Sequence, residues 1–110
     1  MPEANERELV EYQKPDGTCP FRMWLQKLKD RTAQARIDAR LLRLRRGLIG
    51  DAKPVGEGVH ELRIDYGPGY RVYFAPDGDR LVVLLIGGDK KSQASDIRNA
   101  QQFWKQYQEE

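Results

Sequence analysis

Six side chains in the second half of the sequence have the chemistry to act on a phosphodiester. Four are cations, and the other two can accept or exchange protons; they are Glu61, Arg63, Arg71, Tyr73, Lys90 and Lys91. Positioned guanidinium and ammonium groups hold a phosphate and stabilise the extra negative charge of its transition state. The sequence therefore favours phosphodiester chemistry by cations, if the fold brings these residues together.

Side-chain alternation in two predicted strands places four of the six residues on one face of a sheet. The strands cover residues 59–66 and 70–75 and are joined by a Gly-Pro-Gly turn. Their apolar face carries Leu62, Ile64, Val72 and Phe74, and we assign it to the helices. The opposite face then presents Glu61, Arg63, Arg71 and Tyr73, with Arg71 expected to be exposed. Cross-strand ion pairing that only stabilises the sheet is the alternative interpretation.

The segment GGDKKS at residues 87–92 brings two lysines to the end of a third strand. Its glycines allow a sharp turn, and Lys90 and Lys91 come just before a predicted helix N-terminus, which is itself a mild anion site. The segment lacks the spacing of a Walker loop and is a weak signal by itself.

Other chemistries have little support in the sequence. The single histidine, His60, and the single cysteine, Cys19, are far apart and lack a third partner for a nucleophilic triad. No cluster of carboxylates, histidines and cysteines has metal-ligand spacing, so we expect no metal site and no cofactor. His60 shares its face with core residues and is interpreted as structural.

The remaining pattern predicts one strand and two helices before the hairpins, and one helix after them. A strand is predicted at 7–13, a helix from Thr18 to about Lys29, and a second helix from Asp30 or Thr32 to a stop at Gly50. Residues 51–58 are expected to be a loop, the third hairpin strand to cover 80–87, and the last helix to begin near Ser92 or Ser95. The second helix carries a stripe of Arg36, Arg40 and Arg43, which could bind RNA or an acidic partner but more often marks a solvated helix face.

This order of elements predicts a single α+β domain. Hairpin-connected strands are antiparallel, and the two-helix crossover is long enough for the first strand to return beside a later one. With 110 residues, 33% of them charged, and a net charge of +2, the chain is too mildly basic for charge alone to indicate nucleic-acid binding. The acidic N-terminus, the lack of a long apolar run and the lone cysteine predict a cytoplasmic protein without a membrane span.

Three segments together resemble the RelE/ParE superfamily of toxins from type II toxin–antitoxin systems. They are ELRIDYGPGYRVYF at 61–74, GGDKKSQASDI at 87–97 and FRMWLQKL at 21–28. The most similar subgroup is that of the HigB-like, phage-related addiction module killer proteins. The resemblance covers most of the chain, roughly residues 7–107. It implies a RelE-like fold: an N-terminal strand, a helical hairpin on a twisted, mostly antiparallel sheet, and a C-terminal helix.

The resemblance also implies a function. RelE-like members are metal-independent endoribonucleases that cut mRNA, typically on the ribosome, and so inhibit translation. Arg71 matches the arginine that such enzymes place on the scissile phosphate, and Arg63 and Lys90 resemble the other basic residues of the cleft. Tyr73 or Glu61 would orient the sugar or exchange protons, and Lys91, Arg40 and Arg43 would bind RNA. The implied partners are mRNA and a cognate antitoxin, in this subgroup usually a small helix-turn-helix protein encoded next to the toxin.

Two departures from the family pattern leave alternatives open. Asp96 and Ile97 stand where RelE-like enzymes can carry a tyrosine in the last helix, and a catalytic histidine is not evident. ParE-like relatives share the fold but inhibit DNA gyrase without ribonuclease activity. A degenerate homologue that only binds an antitoxin is the third alternative.

Overall fold

Five strands and three helices make up residues 6–110, the part of the chain that the computed structural model describes. In chain order the elements are β1 (Glu8–Glu11), α1 (Pro20–Lys27), α2 (Arg31–Arg45), β2 (Ala52–Pro54), β3 (His60–Ile64), β4 (Tyr70–Asp77), β5 (Leu81–Gly88) and α3 (Gln93–Gln108). A single 3-10 turn over Lys90–Ser92 connects β5 to α3. The predicted α+β class and the C-terminal helix are confirmed.

The strands form one mixed sheet in the order β1-β5-β4-β3-β2. β1 runs parallel to β5, pairing from Glu8 opposite Leu81 to Glu11 opposite Leu84, and every other neighbouring pair is antiparallel. The predicted return of the first strand is therefore confirmed. The α1–α2 crossover makes it possible, since a parallel pair cannot be joined by a tight turn.

The ends of the first two helices differ from the prediction at three places. Cys19, not Thr18, precedes the first turn of α1, because the amide and hydroxyl of Thr18 both donate to Asp16 Oδ1, at 2.9 and 2.7 Å. Asp30 caps α2 by accepting from the amides of Thr32 and Ala33, as one of the two predicted alternatives. α1 ends at Lys27, two residues early, and α2 ends at Arg45. Gly47, with φ of +82°, follows α2 in the conformation that ends many helices, so the predicted stop at Gly50 was wrong.

The segment predicted as a loop at 51–58 contains the short edge strand β2. Lys53 pairs with Glu61 of β3, so the outer edge of the sheet lies one strand beyond the predicted hairpins. Three residues that include Pro54 carry too little alternation to predict a strand, and proline in a sheet is largely confined to edges.

Both faces of the sheet are covered, and each face carries its own apolar core. On one face the helices α1 and α2 contribute Phe21, Leu25, Ile37 and Leu44, which pack on Leu62, Ile64, Val72, Phe74, Val82 and Leu84. On the other face α3 packs Ala100 and Trp104 on Tyr12, Val59, Tyr73, Ala75, Val83 and Leu85. The apolar run of β5 is explained, because its successive residues enter opposite cores. None of the three helices has the length and hydropathy that a membrane-spanning helix requires.

Truncating Leu84 to alanine tests the core under the helical pair. Leu84 is only 3% exposed, so Leu84→Ala should lower the free energy of unfolding by about 2–5 kcal/mol through lost burial and a residual cavity. The matched control is Leu48→Ala, whose side chain is 55% exposed and whose loss should change stability by less than about 0.5 kcal/mol. Urea unfolding of both variants measures the difference. Equal midpoints would mean that Leu84 does not lie in a packed core.

Candidate functional site

A buried carboxylate, that of Glu61, lies at the centre of the candidate site. The side chain is fully buried between the sheet and α3, although Glu61 belongs to the polar face of β3. Its Oε2 accepts from the Tyr73 hydroxyl at 3.0 Å and from Gln93 Nε2 at 2.8 Å, and its Oε1 accepts from Arg63 Nε at 3.2 Å. Residues from β3, β4 and α3 are thus joined through one carboxylate, which we call the Glu61 network.

Arg71 completes the Glu61 network from β4. Its Nε lies 3.5 Å from Glu61 Oε2, and its Nη1 donates to the carbonyl of Gly69 at 2.8 Å. The side chain is only 10% exposed, so the expectation of an exposed cation was wrong. The expectation failed because α3 covers this face of the sheet. Within residues 6–110, Arg71 Nε is the buried side-chain nitrogen that makes no hydrogen bond. The Glu61 carboxylate compensates the positive charge of this guanidinium.

The protonation states of the network follow from its contacts. Burial by itself would raise the pKa of Glu61, but hydrogen bonds from Gln93, Arg63 and Tyr73 and the charge of Arg71 outweigh burial and hold the pKa below its ordinary value. Burial and the hydrogen bond to Glu61 raise the pKa of Tyr73 far above its ordinary value. At neutral pH, therefore, Glu61 is an anion and Tyr73 a neutral donor.

The two lysines of the site lie on a hydrogen-bonded turn between β5 and α3, which we call the lysine turn (residues 89–92). Asp89 Oδ1 accepts from the amides of Lys91, at 2.9 Å, and Ser92, at 3.2 Å, while the Ser92 hydroxyl faces the amide of Asp89 in a reciprocal capping box. The Lys90 amide donates to the carbonyl of Pro68 at 3.4 Å. Both lysine side chains are exposed, beside the Gly-Pro-Gly turn that leads into Arg71.

The structure thus brings together most of the residues that the sequence singled out. Glu61, Arg63, Arg71 and Tyr73 form one network, and Gln93 and Pro68 connect that network to the lysine turn. Arg63 keeps 39% of its side chain exposed. The accessible cations at this corner are therefore Arg63, Lys90 and Lys91, while Glu61 and Tyr73 lie beneath them. These exposed cations can bind a phosphate that approaches from solvent.

Two other predicted RNA-binding residues, Arg40 and Arg43, belong to α2 and are not part of the Glu61 network. Arg40 Nη1 donates to the backbone carbonyl of Arg63 at 2.5 Å. Arg40 therefore supports the end of β3 from the face of the sheet that α1 and α2 cover. Arg43 is exposed on α2 and shares no contact with the network. Arg36, from the same stripe, stacks on the ring of Tyr66 with 4.8 Å from its Cζ to the ring centroid.

Gln93 and Asp96 belong to the site but were not predicted to do so. Gln93 could have been suspected from its place one turn after the lysines, where an amide faces the sheet. Asp96 is 8% exposed and accepts from the Ser92 hydroxyl at 2.5 Å. Burial raises the pKa of Asp96, the Ser92 hydrogen bond lowers it, and the charge of Asp89 raises it further, with a net increase. Across the described residues, no three histidine, cysteine or carboxylate side chains are grouped to hold a metal ion.

Comparison with known proteins assigns the family. Residues 23–105 match the family described as Phage derived protein Gp49-like, and the chain belongs to that family, one of addiction-module, RelE-like toxins. An uncharacterized protein of Haemophilus influenzae is 52% identical over 83 residues, which is 76% of this chain and 84% of the relative. The family match at residues 23–105 contains the whole Glu61 network and the lysine turn.

Replacing Glu61 by glutamine tests whether an ionised carboxylate holds the network together. Because the folded-state pKa lies below the ordinary 4.5, Glu61 adds stability above the unfolded-state pKa and loses it as pH falls through the folded-state pKa. At neutral pH, Glu61→Gln should lower the free energy of unfolding by about 3–5 kcal/mol, the cost of leaving a buried partner charge unpaired. The difference in unfolding free energy between this variant and wild type, which we call the gap, should narrow as pH drops below 4.5.

Urea unfolding across this pH range measures the gap. Glu109→Gln, at an exposed position near the end of α3, is the control and should follow wild type throughout. A gap for Glu61→Gln that is the same at every pH would show that folding does not lower the pKa of Glu61, and a gap that narrows as pH rises above 4.5 would show that Glu61 is protonated in the folded protein.

Proposed function

We propose that this protein is the toxin of a type II toxin–antitoxin module and an endoribonuclease that cleaves mRNA without a metal ion. The observation that carries the proposal is a corner where the exposed cations Arg63, Lys90 and Lys91 lie around Arg71 and the buried carboxylate of Glu61. Membership of a family of addiction-module toxins supports the toxin role, and the resemblance to RelE-like enzymes suggests the reaction.

In the proposed reaction, the RNA supplies its own nucleophile. The 2′-hydroxyl attacks the adjacent phosphorus and gives its proton to water, and the bond to the 5′-oxygen breaks, leaving a 2′,3′-cyclic phosphate and a 5′-hydroxyl end. The protonated ammonium of Lys90 or Lys91 gives the 5′-oxygen its proton. Arg63 and the lysines contact the phosphate and stabilise the charge of the transition state. This division of work uses the groups that solvent can reach.

Glu61, Tyr73 and Arg71 have supporting roles in this proposal. Glu61 and Tyr73 are fully buried and cannot touch substrate, so we assign them to positioning rather than proton exchange. Glu61 aligns Arg63 and neutralises Arg71. Arg71, whose side chain is 10% exposed, adds its positive charge to the phosphate site from beneath the accessible cations.

The proposed partners are mRNA, free or on the ribosome, and a cognate antitoxin. The antitoxin would be a small helix-turn-helix protein encoded next to this chain. A neighbouring reading frame of that kind, able to restore growth when it is expressed with the toxin, would support the module.

A second function, ParE-like inhibition of DNA gyrase, has one observation in its favour. The two residues predicted to orient the sugar or exchange protons, Glu61 and Tyr73, are both buried. His60 stacks on Phe74 on the opposite face, with ring centroids 5.4 Å apart. A toxin that only binds its target needs no exposed acid or base. A degenerate antitoxin-binding homologue would be consistent with the same observation.

Induced expression in bacteria separates these functions. The ribonuclease should arrest growth, stop translation and produce new mRNA 5′ ends within minutes, and the antitoxin should reverse the arrest. Intact transcripts with a DNA-damage response and altered plasmid supercoiling would establish gyrase inhibition instead. Normal growth at high levels of folded protein would establish the degenerate homologue.

Replacing both lysines of the turn tests the site itself. Lys90→Ala with Lys91→Ala should lower the cleavage rate by about 10²–10³, the loss typical of removing a donor to transition-state charge. The melting temperature should barely change, because exposed cations add little stability. Lys105→Ala, an exposed lysine on α3, is the matched control and should keep full activity. A double variant that melts and cuts like wild type would remove the lysine turn from the mechanism.

A further inference from the structure

A groove of about 720 Å³ opens between α1 and α3 at the end of β5, next to the lysine turn. None of the residues that the sequence singled out for chemistry faces it. The side chains that line its walls include those of Met23, Trp24, Asp96, Asn99 and Phe103, and the backbone of Gly87 and Gly88 forms its floor.

The sheet leaves this groove open because β1 is shorter than β5. The pairing with β1 ends at Leu84, so residues 85–88 of β5 have a strand neighbour only on the β4 side. The two glycines let the walls close directly on the strand. A Cβ on Gly87 would enter the Trp24 ring, and a Cβ on Gly88 would enter the Asp96 carboxylate. The groove is thus defined by packing that only glycine permits.

The two walls differ in chemistry. One wall is apolar and comes from α1, where the Trp24 indole packs on Gly87 and Met23 is 44% exposed. The opposite wall is polar and comes from α3, where the Asp96 carboxylate lies over Gly88 and the Asn99 side chain is exposed. A flat group with an apolar face and a hydrogen-bonding edge fits between such walls, and a nucleobase has this form.

The groove is continuous with the proposed phosphate site. Asp89 and Ser92 line the groove and also form the capping box that fixes Lys90 and Lys91. A nucleotide whose phosphate lies at the lysines therefore has its base within reach of the groove. Lys14 and Lys27 at the rim provide further positive charge for the backbone.

We propose that this groove is a base subsite that holds a nucleotide adjoining the scissile phosphate and selects bases with an exocyclic amino group. The inference rests on the proposed ribonuclease function. The ionised Asp96 carboxylate only accepts hydrogen bonds, and an exocyclic amino group donates them, whereas the Asn99 carboxamide can accept or donate and suits either base. Cytosine carries such a group where uracil carries a carbonyl oxygen, so the subsite favours cytosine over uracil at equal size.

Binding of two matched deoxyoligonucleotides tests the subsite apart from cleavage. Oligomers of deoxycytidine and deoxyuridine lack the attacking 2′-hydroxyl and are not consumed. By fluorescence anisotropy, the wild-type protein should bind the cytidine oligomer about tenfold more tightly, the discrimination supplied by about one hydrogen bond to a charged acceptor. Asp96→Asn should reduce this ratio severalfold, because a carboxamide can also donate to the carbonyl oxygen of uracil. Met23→Ala should weaken binding of both oligomers equally, because it removes apolar wall and no hydrogen bond.

The control is Gln102→Ala, an exposed position of α3 outside the groove, which should bind both oligomers like wild type. A wild-type ratio near one, or a ratio that Asp96→Asn leaves unchanged, would overturn the base subsite even if mRNA is cut in cells. If the ratio is found and depends on Asp96 while transcripts in induced cells stay intact, the nucleotide site stands and the ribonuclease function fails.

Discussion

The ion pairing of the buried Glu61 carboxylate is the interaction on which the candidate site depends. A carboxylate without solvent is tolerated only when charges and donors compensate for its lost hydration. Here the compensation comes from three elements: Arg63 on β3, Tyr73 and Arg71 on β4, and Gln93 on α3. Loss of the carboxylate would therefore remove a contact that β3, β4 and α3 share. Arg71 would be left as a buried cation without a counter-charge.

This dependence links the fold to the proposed chemistry. Cations that are to bind a phosphate repel one another and must be held together by something else. Glu61 supplies that attraction from beneath the surface, while Asp89 fixes the lysine turn through backbone amides. The exposed ends of Arg63, Lys90 and Lys91 remain available to a substrate. Pre-arranged charge of this kind needs little reorganisation when negative charge develops in a transition state.

Strand alternation predicted which side chains share a face, but not what covers that face. The division between Leu62, Ile64, Val72 and Phe74 and the polar group around Glu61 was predicted and confirmed, because a period of two fixes it. The burial of Glu61 and Arg71 was missed, since it arises from α3 packing over the polar end of the sheet. A sequence shows that α3 has an apolar face at Ala100 and Trp104, but not on which side of the sheet that face lies.

The missed features share a physical cause: each depends on contacts between segments distant in sequence. Gln93 and Glu61 are 32 residues apart, and β2 is defined only by its pairing with β3. The predicted helix ends were wrong for local reasons. At the start of α1, Asp16 accepts hydrogen bonds from Thr18, and after α2, Gly47 adopts a left-handed conformation. The groove beside Trp24 depends on β1 ending before β5, which is a property of register rather than of composition.

The chemistry of newly formed RNA ends tests the central claim most directly. Attack by the 2′-hydroxyl leaves a 5′-hydroxyl, which polynucleotide kinase labels without prior phosphatase treatment. After induction of the wild-type protein, new mRNA ends should be labelled directly, and the variant lacking both Lys90 and Lys91 side chains should produce far fewer of them. New ends that carry a 5′-phosphate, or wild-type induction that arrests growth without new ends, would contradict the account.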